Sequence, residues 1–503
     1  MVDTILAEKR RDSGVLQWAM PTVTQWVWLV LLLILIAQPW RTLLISSDGD
    51  ASMHWRIGEW MLQNKQIIRT DVFSHTRFGQ PVITKEWVAE LIFAVAGRWK
   101  GYYGLCVVAA LIIATTFALL HRQLLREGND LAVATSVTLL AAWASSQHWL
   151  ARPHVFSFLM VFLWNDALRR FEQAGNPRRL YAWLAGLTVL WVNLHGAFLA
   201  GFIILGAYWL SAGFEFLRSD FETSSGARSR LATFTIAGFL CLVTSLINPN
   251  GFVLHLHNAQ FLRSEFLRNW LAEYRSTDFH LPEARGFLVW LGLMYFTLAL
   301  TRPQVSVSDG LILISWTYFA LYSARNVPLL AILAAPILAP ALSAVWRRRW
   351  NGFSSRLLEL NRLCRGWATV LLLGTLAVLI VPHPTEMLAT KWPVAAVSYI
   401  RENPDKFRGP MFNQYAWGGY LLLVLPEHRV FVDGRTDFYG EQFIRQYDAT
   451  ASLSTNWMDA LTRYDVAWTL MPSDHRLNLA LALLPGWSCA YSDAVAMVYC
   501  KKL

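Results

Sequence analysis

The sequence predicts a polytopic α-helical membrane protein of about eleven transmembrane helices and one juxtamembrane helix, followed by a soluble C-terminal α/β domain. Three observations predict it. Of 503 residues, 55% are hydrophobic and only 16% charged, and the mean hydropathy is +0.34, a balance outside that of ordinary soluble domains. Apolar runs close to the roughly 20 residues that cross about 30 Å of hydrocarbon recur from residue 23 to residue 382. After Ile380 charges, Gly and Pro return, and short β-rich runs alternate with helical patterns.

In chain order the expected spans are 23–45, 104–121, 131–147, 154–168, 180–195, 197–217, 231–247, 285–300, 310–323, 327–345 and 367–382. No small-x-small cleavage site follows the apolar stretch 29–37, so the first span is expected to stay as an anchor. The run 87–99 is only about half the length of a crossing and is read as a juxtamembrane helix. Topology agrees. With 87–99 outside the membrane, the basic segments around 9–11, 121–126, 169–179, 218–230 and 347–365 all become cytoplasmic, as the positive-inside rule asks. The N-terminus is then cytoplasmic and the C-terminal domain external, which for a bacterial inner membrane means periplasmic. Trp40, Trp99, Trp149, Trp346 and Trp350 sit at span ends, where indole favours the headgroups. The net charge of +10 is dispersed over short loops rather than gathered on one face, which argues against a nucleic-acid partner.

The chain thus divides into a membrane domain, 1–382, with a first external loop at 46–103, and an α/β domain, 383–503. In the second, helices are expected at 393–403, 440–450, 455–464 and 476–484, and strands at 409–412, 429–432, 466–470, 487–491 and 495–500. Cys489 and Cys500 flank the last hairpin, turning near 492–494, and are a candidate disulfide in an oxidising compartment. Cys106, Cys241 and Cys364 lie in or beside apolar spans and read as packing residues.

The topology gathers the chain's unusual polar residues on the external face. Asp48-Gly49-Asp50 directly follows the first span, with His54 and Arg56 next and Lys85-Glu86 later in the same loop. Ionisable groups at the mouth of a helical bundle read as functional. A helix-capping turn is the rival reading. Asp48 and Asp50 are the candidate general bases, with Glu86 and His54 supporting the catalytic site. Arg152, Arg325, Lys85 and Arg56 are candidate phosphate partners, Arg through its bidentate fork. The Asp48/Asp50 pair is also a candidate site for a divalent metal, Mg or Mn. His54, His154, His195 and Asn193 are candidate hydrogen-bonding groups for a donor or acceptor, although buried structural imidazoles and an Asn/Gly turn serve equally well. In the α/β domain Asp433, Arg435 and Asp437 follow an expected strand, where α/β folds build ligand sites, or else fix a tight turn.

With these residues in view, the chain resembles the GT-C superfamily of membrane glycosyltransferases. The likeness rests on Asp48-Gly-Asp50, His54 to Trp60, Arg69 to Ser74, Glu86-Trp87, Arg152-Pro153-His154, Asn193 to Gly196 and Phe431 to Asp437. The branch it most resembles carries a periplasmic C-terminal α/β domain. The resemblance implies a GT-C-like fold with a catalytic Asp in the first external loop. It implies inverting transfer of a sugar from a polyprenyl-phosphate-linked donor to an envelope glycan, lipid or protein on the external face. Membrane lipid is then a partner by construction. The Pro-Pro segment of the protein mannosyltransferase and aminoarabinose transferase branches is absent; Gln80-Pro81 and Lys85-Glu86-Trp87 stand near its place, so donor and acceptor do not carry over. A different class of function is a non-catalytic component of polysaccharide translocation or envelope assembly, with envelope proteins as partners.

Overall fold

The computed structural model describes residues 19–47, 49–219, 224–380 and 386–502. The first apolar run forms α1 (Val23–Ile36), closed at its start by a Thr22/Gln25 capping box, and α2 (Trp40–Ser46), bent from it by 65°. Pro39 lies at the break, where a missing N–H interrupts the ladder. Helix α3 (Asp50–Asn64) follows and ends on a left-handed Lys65.

Helix α4 (Trp87–Arg126) joins the expected juxtamembrane segment to the next apolar run. Its halves are separated by non-helical residues at Lys100 and Gly101, the latter at φ 57° and ψ −142°. Helices α3 and α4 cross at Gly58, where an added Cβ would stand 2.0 Å from the Glu90 carbonyl oxygen. That crossing brings His54, one turn before Gly58, against Glu90.

The bundle continues with α5 (Leu131–Ser145), α6 (His154–Ala174), α7 (Pro177–Leu194), α8 (Leu199–Arg218) and α9 (Ser224–Thr244). Two short external helices follow, α10 (Val253–Arg263) and α11 (Glu265–Trp270). Helices α12 (Arg285–Thr301), α13 (Val307–Tyr322), α14 (Val327–Leu363) and α15 (Trp367–Ile380) complete it. Each expected span overlaps helix, with a break at 37–39 and a turn at 245–247, and residues 381–382 of the last lie outside the described residues. Among the described residues five helices are long and apolar enough to cross a membrane, or seven if each bent pair is one span.

One end of the bundle is tied by Arg169, which reaches Glu127 after α4 and Asp309 at the start of α13, each at 3.1 Å. The residues the sequence singles out lie at the other end.

The C-terminal region comprises α16 (Val394–Glu402), β1 (Met411–Asn413), α17 (Gly418–Val424), α18 (Thr436–Ala451), α19 (Met458–Arg463), β2 (Trp468–Pro472), α20 (Arg476–Ala482), β3 (Trp487–Ser492) and β4 (Ala496–Lys501). The sheet order is β1-β2-β4-β3, with β1 parallel to β2 and the other pairs antiparallel.

Two expectations are corrected here. The run 429–432 is buried from Val430 to Val432 but joins no ladder. Val430 N–H donates to the Phe73 carbonyl, Val430 O accepts from His75 N–H, and Phe431 N–H donates to Asn413 Oδ1. The loop 65–86 and Asn413 together satisfy its backbone, so an apolar β-rich run becomes a docking edge. The cysteines do not face each other. Cys489 is opposite Tyr499 and Cys500 opposite Ser488, a one-residue offset that puts the thiols on opposite faces, and both are free.

Candidate active site

A cavity of about 1260 Å³ lies where one end of the bundle meets the C-terminal domain. Its apolar wall comes from helices of the bundle, with Trp40 and Leu43 of α2, Trp143 of α5, Ile203 of α8, and Trp316 and Phe319 of α13. Its polar wall comes from α3, the start of α4, the segment 268–274, Arg325 and residues 434–438. A surface of this kind suits a ligand with a greasy tail and a charged, hydroxylated head.

Asp50, the first residue of α3, carries the centre of that polar wall. Its Oδ2 lies 2.6 Å from Arg152 Nη2, Arg152 Nη1 lies 3.0 Å from Glu273 Oε2, and Arg325 Nη1 lies 3.3 Å from Glu273 Oε1. The result is an alternating chain of two carboxylates and two guanidiniums. Burial works to raise the Glu273 carboxyl, but Arg152 and Arg325 outweigh it and hold the group well below the usual carboxylate range. Arg325 also stacks on Tyr274, 4.5 Å from the ring centroid.

A second cluster forms at the start of α4. His54 Nδ1 lies 3.3 Å from Glu90 Oε1 and its Nε2 3.7 Å from Glu86 Oε2, while His195 Nε2 lies 3.6 Å from Glu86 Oε1. Burial raises the Glu86 carboxyl against the pull of His54 and Lys85. Burial also pushes Glu90 up to about 8, so it holds a proton near neutral pH. His195 Nδ1 accepts from the Ala197 N–H and lies 2.8 Å from Ser157 Oγ, which itself accepts from Trp191 Nε1. Because Nδ1 accepts the Ala197 N–H, the ring proton is on Nε2, facing Glu86.

The C-terminal domain closes the site. Gly434 lies so near α3 that a Cβ there would stand 2.1 Å from Asp50 Oδ1. Asp437 Oδ2 lies 2.7 Å from Lys85 Nζ and 2.7 Å from His257 Nε2. Burial opposes the charge on Asp437, yet Lys85 and His257 hold its carboxyl well below the usual range. Arg435 spans the join, donating from Nε and Nη2 to the two oxygens of Asp433 while its Nη1 lies 2.8 Å from Asp71 Oδ1.

Of the residues singled out in the sequence, Asp50, His54, Lys85, Glu86, Arg152, His195, Arg325, Arg435 and Asp437 line this cavity. Asp48 lies outside the described residues. Arg56 is outside the lining and stacks over Phe73, and Asp433 is buried beneath Arg435. Asn193 is also outside: its Oδ1 accepts from Trp87 Nε1 and its Nδ2 donates to the Val189 and Ile247 carbonyls. His154 packs its ring 4.5 Å from His148, with Nε2 3.0 Å from the His148 carbonyl. Neither residue is in the cavity lining. Glu90 and Glu273 were not singled out. Glu90 had a signal, the four-residue spacing from Glu86 that puts both on one helix face. Glu273 had none.

Among the described residues no group of three or more His, Cys, Asp or Glu is placed to hold a metal ion. Asp50 and Glu273 have guanidinium partners where a divalent cation would need their oxygens. The described donor set does not fit a metal.

Neither a protein-family model nor a curated protein sequence matches the chain. Solved structures match it. The oligosaccharyltransferase of Archaeoglobus fulgidus is 14% identical, over 95% of this chain and 74% of that one, with a TM-score of 0.55. ArnT from Cupriavidus metallidurans bound to undecaprenyl phosphate is 14% identical, over 94% and 97% of the two chains, with a TM-score of 0.50. The mycobacterial arabinofuranosyltransferase AftD is 14% identical, over 96% of this chain and 40% of that one, with a TM-score of 0.51. The likeness extends over nearly the whole of this chain, which shares the fold of all three.

Proposed function

We propose that the protein is an inverting membrane glycosyltransferase that takes a sugar from a polyprenyl-phosphate donor to an envelope glycan, lipid or protein acceptor. The reading places eleven spans in a bacterial inner membrane, with a cytoplasmic N-terminus and the cavity and C-terminal domain on the periplasmic side. One observation carries it: the cavity joins an apolar wall of bundle helices to the chain Asp50–Arg152–Glu273–Arg325.

In this mechanism the polyprenyl tail lies along the apolar wall and the phosphate draws Arg152 and Arg325 into its own hydrogen bonds. Arg152 then loosens its hold on Asp50. An acceptor hydroxyl attacks the anomeric carbon from the face opposite the phosphate and gives its proton to the Asp50 carboxylate. The bond from the anomeric carbon to the phosphate oxygen breaks, and its electron pair leaves on the polyprenyl phosphate. The guanidiniums stabilise the charge that develops there. Purified protein in vesicles containing an envelope lipid extract and polyprenyl-phosphate-linked hexoses tests this. Expected are sugar transfer and an equal release of polyprenyl phosphate, reduced at least about 100-fold in Asp50→Asn. Transfer at the unaltered rate by a folded Asp50→Asn protein would refute the base.

A further inference from the structure

The cavity has two poles of different chemistry. At the Arg152–Arg325 pole, guanidiniums offer what a phosphate needs. At the other, Glu86 and Glu90 stand one turn apart on α4, and among the described residues neither forms an ion pair with Lys or Arg. A phosphate here would meet two buried carboxyl groups. Hydroxyls would meet groups that both give and take hydrogen bonds.

We infer that Glu86, Glu90, His54 and His195 form a hydroxyl-binding subsite that holds the sugar of a lipid-linked donor while the guanidinium pole holds its phosphate. The inference rests on the glycosyltransferase reading and adds which residues read the sugar. Glu90 is 5% exposed, lines the cavity, and its Oε2 has no hydrogen-bond partner among the described residues. A buried oxygen left in that state is costly unless a ligand completes it. Because burial keeps Glu90 protonated near neutral pH, its carboxyl can donate one hydrogen bond and accept another. His195 has a fixed donor, since Ser157 and Ala197 occupy its Nδ1 and leave the Nε2 proton facing Glu86. His54 bridges the two glutamates, so the subsite is a connected set.

Binding of undecaprenyl phosphate and of its mannosyl, glucosyl and galactosyl esters to the full-length detergent-solubilised protein tests this. The unaltered protein should bind at least one ester about tenfold more tightly than the bare lipid phosphate. Glu90→Ala should abolish that gain while keeping affinity for undecaprenyl phosphate within about twofold, and Glu90→Gln, which keeps a donor and an acceptor, should restore most of it. His195→Ala, which removes the Nε2 donor, provides the same comparison if Glu90→Ala does not fold. Equal binding of bare and hexosyl lipids, or equal weakening of both by Glu90→Ala, would overturn the subsite. No binding of undecaprenyl phosphate itself would overturn the underlying reading as well.

Discussion

Asp50 and Arg435 show how differently two charged residues of this site are held. Arg435 is locked between Asp433 and Asp71, both 0% exposed, and serves as a tie between domain and loop. Arg435→Met removes a partner from two buried carboxylates and should cost about 3–5 kcal/mol, seen as a marked fall in the thermal unfolding midpoint. Asp50, by contrast, shares Arg152 with Glu273 and can exchange it for a phosphate, so Asp50→Asn should cut turnover without comparable loss of stability. Glu90 gives a pH test with a definite sign. Its carboxyl is raised from about 4.5 to about 8, so between these values the folded protein keeps a proton that the unfolded chain has lost. Stability therefore drains away as pH rises through that window. Unfolding midpoints measured across it should fall less steeply in Glu90→Gln than in the unaltered protein. At this scale the sequence was legible wherever an ionisable group adjoined an apolar run, as at Asp50, Lys85-Glu86 and Arg152. It was silent on Glu273, an isolated acid whose importance lies in two arginines remote in the chain.

Helix–helix crossings and the docking of the C-terminal domain depend on glycines whose role is invisible in local sequence. Gly434 reads as a turn residue in Asp433-Gly434-Arg435, yet the reason for it is Asp50, nearly 400 residues earlier. Gly434→Ala should unseat the domain from α3, increasing proteolysis of 386–502 and reducing transfer together. Gly58→Ala should do the same at the α3/α4 crossing, costing about 1–3 kcal/mol by overpacking and separating His54 from Glu90. The helices themselves were legible because burial in lipid or a helical core imposes long apolar runs. The segment 429–432 was misread as a strand because β-propensity reports burial on a pleated edge, and here the first external loop supplies that edge.

Over the whole molecule, the bundle is tied at one end by Arg169 and opens at the other into a cavity roofed by the C-terminal domain. Sidedness has a direct readout. Cys489 is exposed and free, while Cys106 and Cys241 are buried. A membrane-impermeant maleimide added to intact spheroplasts should label Cys489 if the C-terminal domain is periplasmic, and a Cys489→Ser protein should lose that label. The two-pole cavity was only half legible: convergence of polar groups on one face followed from loop counting, but their order did not. The central claim is that the guanidinium pole holds a lipid phosphate. Titration of undecaprenyl phosphate into the solubilised protein and into a folded Arg152→Gln/Arg325→Gln variant tests it, with the neutral alcohol undecaprenol as control. The account predicts that the double variant loses about 100-fold in affinity for the phosphate and little for the alcohol. Equal affinity of both proteins for undecaprenyl phosphate would contradict it.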